Sequence, residues 1–183
     1  MSKPDRPWSV PVRIEEVPEG GLTKTLSADA GVREAVARLG GLTGLPRFEA
    51  SFDLARQGRG LHVTGTVTAT AGQTCVVTLE PMESEIAEPV DLVFSPDAPA
   101  EEAGPPRDPE AADPPEPLVN GVVDLGAIAT EFVLLGVDPY PRKQGVVFEA
   151  PDAGQPEPGP FAALAALKAK GGQGGGASGG PGD

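Results

Sequence analysis

Two residues of this 183-residue chain could supply thiol and imidazole chemistry, and each type occurs once: Cys75 and His62. A reactive thiolate needs a base or a positive field beside it, so His62 is the one imidazole that could activate Cys75. Both lie in runs of alternating apolar and polar residues, where strands could set them face to face or apart. Cys75, among Val76, Val77 and Leu79, reads as a small buried hydrophobe. His62 alternates with threonines and reads as a solvated histidine. The carboxylate pairs Glu83 with Glu85 and Glu101 with Glu102 sit in settings that would not separate two pKa values, as acid–base catalysis requires. One cysteine excludes an internal disulfide and leaves a four-ligand zinc site short of partners. Gly40-Gly41 follows a helical stretch, whereas a phosphate-cradling loop follows a strand and opens a helix. These residues predict no catalytic centre, no cofactor and no metal.

Charge narrows the partners. With 14 Lys+Arg against 27 Asp+Glu the net charge is -13, which repels phosphate backbones unless cations cluster locally, so DNA is not expected as a partner. The acid is uneven. Residues 96–117 hold 7 acidic groups, 1 basic group and 8 prolines, while residues 1–40 hold 6 of each sign. Cations lie near aromatic rings or one another at Arg47-Phe48, at Arg56 with Arg59, and at Tyr140 with Arg142-Lys143. In the last, Asp138-Pro139-Tyr140-Pro141 adds a stiff kink, an amphipathic ring and two cations on an exposed turn, a surface that RNA or a protein could contact.

The elements that must position these groups follow from periodicity. Pro11 to Val17 predicts a short strand, and Ser27 is placed to cap a helix whose Val32, Ala35, Val36 and Leu39 share one face and which Gly40-Gly41 stops. Phe48, Ala50, Phe52 and Leu54 alternate with polar residues, and Gln57-Gly58-Arg59-Gly60 predicts the turn after them. The longest period-2 run is Leu61 to Ala71; Cys75, Val77 and Leu79 extend the pattern, and a further strand carries Ile86, Val90, Leu92 and Phe94 after a break at Pro81-Met82-Glu83. Turns this short hold no crossover helices, so the sheet is antiparallel. Asp124 is placed to cap a second helix that carries Leu125, Ile128, Ala129, Phe132 and Leu135, and Pro160 opens a third with Phe161, Leu164 and Leu167. The expected fold is α+β: a small antiparallel sheet of about four to five strands packed with two or three short helices. It spans residues 1–168 as one domain, interrupted by the acidic, proline-rich linker 96–117. A disordered tail follows at 169–183, in which 8 of the residues from Gly171 to Asp183 are Gly.

No stretch approaches the roughly 18–20 apolar residues of a membrane span, and no apolar run of signal-peptide type follows Met1 to Pro7. A soluble, intracellular chain without a membrane partner is expected.

Three segments together resemble the YceD-like family, the large ribosomal RNA subunit accumulation proteins. They are Gly65 to Thr70 running into Gln73-Thr74-Cys75 through Leu79-Glu80-Pro81; Gly121-Val122-Val123-Asp124-Leu125-Gly126 with Glu131, Leu134, Leu135 and the 138–141 exit; and Pro160-Phe161 through Leu164, Leu167 and Lys168. Many members carry Cys-x-x-Cys where this chain has Cys75-Val76-Val77-Thr78, so a metal or redox role does not transfer. The resemblance implies a cytoplasmic, bacterial, non-enzymatic factor for synthesis, processing or stability of large-subunit ribosomal RNA. Joined with the acidity, it points to a basic ribosomal or rRNA-processing protein as partner, the RNA being contacted directly or indirectly. Candidate contacts are Asp124, Glu131, Tyr140, Arg142, Lys143, Phe161 and Lys168. The alternatives are a small thiol enzyme using Cys75 with His62, and an interaction module acting through the acidic linker.

Overall fold

The computed structural model describes residues 6–98 and 114–148. Residues 6–98 and 114–146 belong to one unit, and of a second unit starting at Val147 only Val147 and Phe148 are described. In chain order the elements are β1 (Pro11–Arg13), β2 (Leu22–Ser27), α1 (Ala30–Leu39), β3 (Gly44–Gln57), β4 (Gly60–Thr74), β5 (Pro81–Ser95), β6 (Glu116–Pro117), β7 (Val122–Asp124) and α2 (Leu125–Leu135). One sheet runs β2-β3-β4-β5-β6, antiparallel except for the short parallel β5–β6 pair, and a separate ribbon pairs β1 with β7. The class is α+β, as the periodicity predicts.

Alternation decides which way the long strands face. Phe48, Ala50, Phe52 and Leu54 of β3, Leu61, Val63, Val67, Ala69 and Ala71 of β4, and Ile86 and Val90 of β5 are buried on one face. Val36 and Ala37 of α1, with Leu125, Ile128, Ala129 and Val133 of α2, join the same core. Both helices therefore cover one face of the sheet, and among the described residues no helix covers the other.

Several boundaries differ from the sequence expectation. Residues 22–27 form an edge strand paired with Glu49–Leu54, so Ser27 ends β2 and does not cap α1. The cap is Asp29, whose carboxylate accepts from Val32 N at 2.9 Å. The first strand stops at Arg13, and Ile14–Glu16 make a 3-10 turn. Cys75 to Glu80 leave the strand pattern and turn, while Pro81-Met82-Glu83, read as a break, already belong to β5. Apolar alternation persists through that turn because Cys75 is buried by a neighbouring segment, which mimics strand burial. Helix α2 ends at Leu135, with Gly136 as its C-cap, before Asp138-Pro139 is reached. Of the acidic linker, Glu116–Pro117 form β6; its stretch 99–113, the third helix and the tail lie outside the described residues.

The N-terminal segment crosses α2 so closely that a glycine is required. A Cβ on Gly126 would stand 3.0 Å from Trp8 C, Ser9 N and Val10 N, all backbone atoms. Trp8 is fixed there by an edge-to-face contact with Phe48, centroids 4.8 Å apart. Helix propensity alone favours Gly126→Ala by about 1 kcal/mol, but displacing a docked backbone costs about 1–3 kcal/mol. The crowding wins: Gly126→Ala is expected to lower the melting temperature by about 2–6 °C in a thermal scan followed by circular dichroism, and an unchanged or higher value would show that the crossing is loose.

Candidate functional site

The turn between β4 and β5 is closed by Cys75 N donating to Glu80 O and Leu79 N donating to Cys75 O, both at 2.9 Å. It holds Leu79 in the left-handed region, with φ 58, although the side chain is 76% exposed. A non-glycine residue loses about 1–2 kcal/mol there. The chain leaving α2 is strapped across this turn. Val76 N donates to Pro141 O at 2.9 Å, Gln73 Nε2 donates to Asp138 O at 2.8 Å, and Lys143 Nζ reaches Glu80 Oε2 at 2.7 Å. Asp138 Oδ1 accepts from Tyr140 N at 2.8 Å, a turn of the kind aspartate favours. Pro141 is buried beneath the strap, and Tyr140 and Arg142 stand exposed on either side of it.

Cys75 is fully buried in this clamp, and its sulfur accepts from the amides of Thr78 and Lys143 at 3.5 Å each. The Thr78 hydroxyl, then the Lys143 and Thr78 amides, outweigh burial and bring the thiol from 9.0 to about 6. Lys143 in turn holds the Glu80 carboxyl below the usual carboxylate range. His62 does not take part. Thr74 lies twelve positions further along β4, a span of about 40 Å along an extended strand, and the His62 Nε2 lies 2.6 Å from Asp91 Oδ1. The two residues that could make a thiol–imidazole pair thus lie near the start of β4 and just beyond its end. The groove between α1, the start of β3 and the start of β5 has Arg33, Glu34, Arg38 and Thr43 among its lining residues, and neither the thiol nor the imidazole lines it. Among the described residues no three His, Cys, Asp or Glu side chains gather as metal ligands, and no helix is long and apolar enough to cross a membrane.

Asp124 has a different station. Its carboxylate accepts from Ser9 Oγ at 2.8 Å, Val10 N at 2.8 Å, Ala127 N at 3.2 Å and Arg6 Nη1 at 3.3 Å, so it caps α2 and staples the N-terminal segment. Burial pushes its pKa up, but these four donors more than offset that and hold it below the ordinary aspartate value.

The uncovered face of the sheet has its own composition. The register sets Thr23, Thr25 and Ser27 of β2 beside Asp53, Ser51 and Glu49 of β3, these beside Thr64, Thr66 and Thr68 of β4, and these beside Asp91, Pro89 and Ala87 of β5. Glu83 and Glu85 continue the acidic column next to Gly72 and Thr70. Five carboxylates therefore share this face with the cation Arg47 and with His62. Arg47 bridges Glu85 at 2.6 Å and Glu49 at 3.6 Å, and Thr70 Oγ1 donates to Glu85 at 2.8 Å. Thr70, then Arg47, holds the Glu85 carboxyl low.

Of the contacts expected from sequence, the structure brings Tyr140, Arg142 and Lys143 together at the clamp, with Lys143 paired to Glu80. Glu131 is exposed on α2, and Asp124 is engaged within the chain; Phe161 and Lys168 lie outside the described residues. Viewing Glu83 and Glu85 only as an acid–base pair misses the acidic face. Its signal is the shared period-2 phase of Glu49 with Asp53 and of Glu83, Glu85 and Asp91.

Against known proteins, the family described as Large ribosomal RNA subunit accumulation protein YceD matches residues 63–168. The chain belongs to the YceD family. No curated protein and no solved structure matches it. The matched span begins in β4 and contains the turn, the strap and α2, so the clamp around Cys75 lies inside the YceD segment. Its family description ties the chain to accumulation of large-subunit ribosomal RNA and mentions no catalysis. Thr78, three residues after Cys75, bonds the thiol.

Because the folded thiol titrates below the unfolded one, the ionised sulfur supports folding most fully above pH 9.0, and that support is lost as pH falls through about 6. Absorbance at 240 nm should therefore show a thiolate titrating near pH 6 in the folded chain, and near the ordinary thiol value after denaturation. Thr78→Val should move the folded midpoint upward. A folded midpoint at or above the denatured one would contradict the assignment.

Proposed function

We propose that this YceD-family chain supports synthesis, processing or stability of large-subunit ribosomal RNA by holding a basic protein partner, a ribosomal or rRNA-processing protein, on the uncovered face of its sheet. The observation that carries the reading is that face itself: five carboxylates in period-2 phase, one arginine, and a lawn of threonine and serine hydroxyls. A broad field of one sign attracts a cationic surface and speeds its capture, and it repels a phosphate backbone. Hydroxyls add short, adaptable hydrogen-bonding groups without covering the carboxylates. The setting is the cytoplasm, and no enzymatic step is assigned to the chain.

Tyr140 and Arg142 at the clamp, and Glu131 on α2, form the second contact region of this proposal. Tyr140 is 70% exposed, and an aromatic ring beside a cation suits a protein interface as well as an RNA base. Residues 96–117 are a further acidic element that a basic partner could engage, and they would act beside the sheet face, not in place of it.

The reading makes a paired expectation. Depleting the chain should lower mature large-subunit ribosomal RNA and leave precursor ends unprocessed, and unchanged RNA levels and ends would sink the role. Purified protein should bind large-subunit RNA weakly at physiological salt. Tight binding whose logarithm falls steeply with log salt would replace the protein-partner reading with direct phosphate contact.

A further inference from the structure

Among the described residues, strand β5 has one partner along most of its length. It pairs with β4 from Pro81 to Phe94, while on its other side β6 covers only Phe94 and Ser95. The direction of its backbone groups follows from one hydrogen bond. Leu118 N donates to Ser95 O at 2.9 Å, so Ser95 faces the β6 side. Backbone groups alternate along a strand, and the β4–β5 register runs without a bulge, so Val93, Asp91, Pro89, Ala87, Glu85 and Glu83 face that same side. Pro89 agrees with this phase, because a proline is tolerated inside a ladder where its missing N–H points away from the partner strand. The amides of Glu83, Glu85 and Ala87 thus form a consecutive set of edge donors with no partner strand among the described residues.

We infer that this edge is a strand-addition site for an extended basic segment of the partner protein, with cations alternating with apolar residues. The inference rests on the basic-partner reading and specifies how that partner is held. Unpaired backbone donors and acceptors call for an extended peptide. The side chains call for its charge. Glu83, Glu85 and Asp91 stand on the uncovered face at alternate positions, and the Glu85 and Asp91 side chains stay 68% and 78% exposed despite contacts with Arg47 and His62. On the opposite face the edge presents half-buried Met82 and Leu92, which suit apolar residues of the added strand. A second copy of this chain is a poor occupant, because pairing β5 with β5 sets carboxylate against carboxylate. Residues 99–113 are poor occupants for the same reason, carrying five acidic groups and Arg107 as their single cation.

The test uses the full-length, isotope-labelled chain and a blocked Lys-Val-Lys-Val-Lys-Val-Lys peptide. Amide exchange at Glu83, Glu85 and Ala87 should slow when the peptide binds. A version N-methylated on alternate residues keeps every charge, and it should bind about tenfold more weakly because it cannot pair with the edge. Ala87→Pro removes the last donor of the set while leaving the β4 ladder intact, and it should weaken the unmethylated peptide by a similar factor. Equal binding by both peptides, or protection confined to other residues, overturns the edge while leaving the basic-partner reading standing. Failure of both peptides to bind overturns both, as does stronger protection of the same amides by an oligouridine.

Discussion

Everything in this molecule hangs on the two-sided alternation of β4. Its odd positions, Leu61, Val63, Val67, Ala69 and Ala71, are buried, while His62, Thr64, Thr66 and Thr68 lie on the opposite face. A slip of one residue would exchange the faces, burying hydroxyls and an imidazole and exposing the core. The register is therefore held over 14 paired positions with β5 and nearly as many with β3. Gly65 lets the strands approach in the middle of this run: a Cβ there would collide with Ser51 O and stand 3.0 Å from Phe52 Cα. Because α1, α2 and the N-terminal segment cover the apolar face, the other face is, among the described residues, defined by what β2, β3 and β5 place around the threonine column.

That division also settles what the reactive side chains can do. The strand that carries His62 at one end and leads into Cys75 at the other keeps them about 40 Å apart, so proximity, which nucleophilic catalysis requires, is missing. At the Cys75 end the hydrogen bonds run inward. Thr78 and Lys143 serve the sulfur, Asp138 and Pro141 accept from Gln73 and Val76, and Lys143 closes on Glu80. The thiol is thereby a fastening between the β4–β5 turn and the strap, in a segment that the YceD family match includes. Asp124 does the same service at the start of α2, where four donors converge on one carboxylate. Charged and reactive groups that look available in the sequence are spent on joining segments, whereas the carboxylates of the open sheet face stay exposed even where Arg47, His62 or Thr23 contacts them.

Much of this was legible before any coordinates. Period-2 alternation located β3, β4 and β5, Gly58 lies in the β3–β4 turn, and Asp124 proved a cap because a carboxylate just before an apolar helical run has orphan amides to satisfy. Local signals failed where a long-range contact decides the outcome. Leu22–Ser27 has little apolar alternation and becomes a strand only because β3 offers a free edge; Cys75 to Leu79 alternate like a strand because the distant strap buries Cys75. The clamp itself joins residues 65 and 68 positions apart, which no spacing rule reveals. The acidic face was hidden in the same way, since Glu49 and Asp91 are neighbours of one surface only after β4 has been placed between their strands.

The central claim is that the carboxylates of the uncovered face hold a basic partner needed for large-subunit RNA. Its most direct test is complementation of a depletion strain by a chain carrying Glu49→Gln, Asp53→Asn, Glu83→Gln, Glu85→Gln and Asp91→Asn, all at exposed positions, with folding verified by thermal melting. The account predicts a folded protein that fails to restore mature large-subunit ribosomal RNA. Full restoration by that neutral face would contradict it.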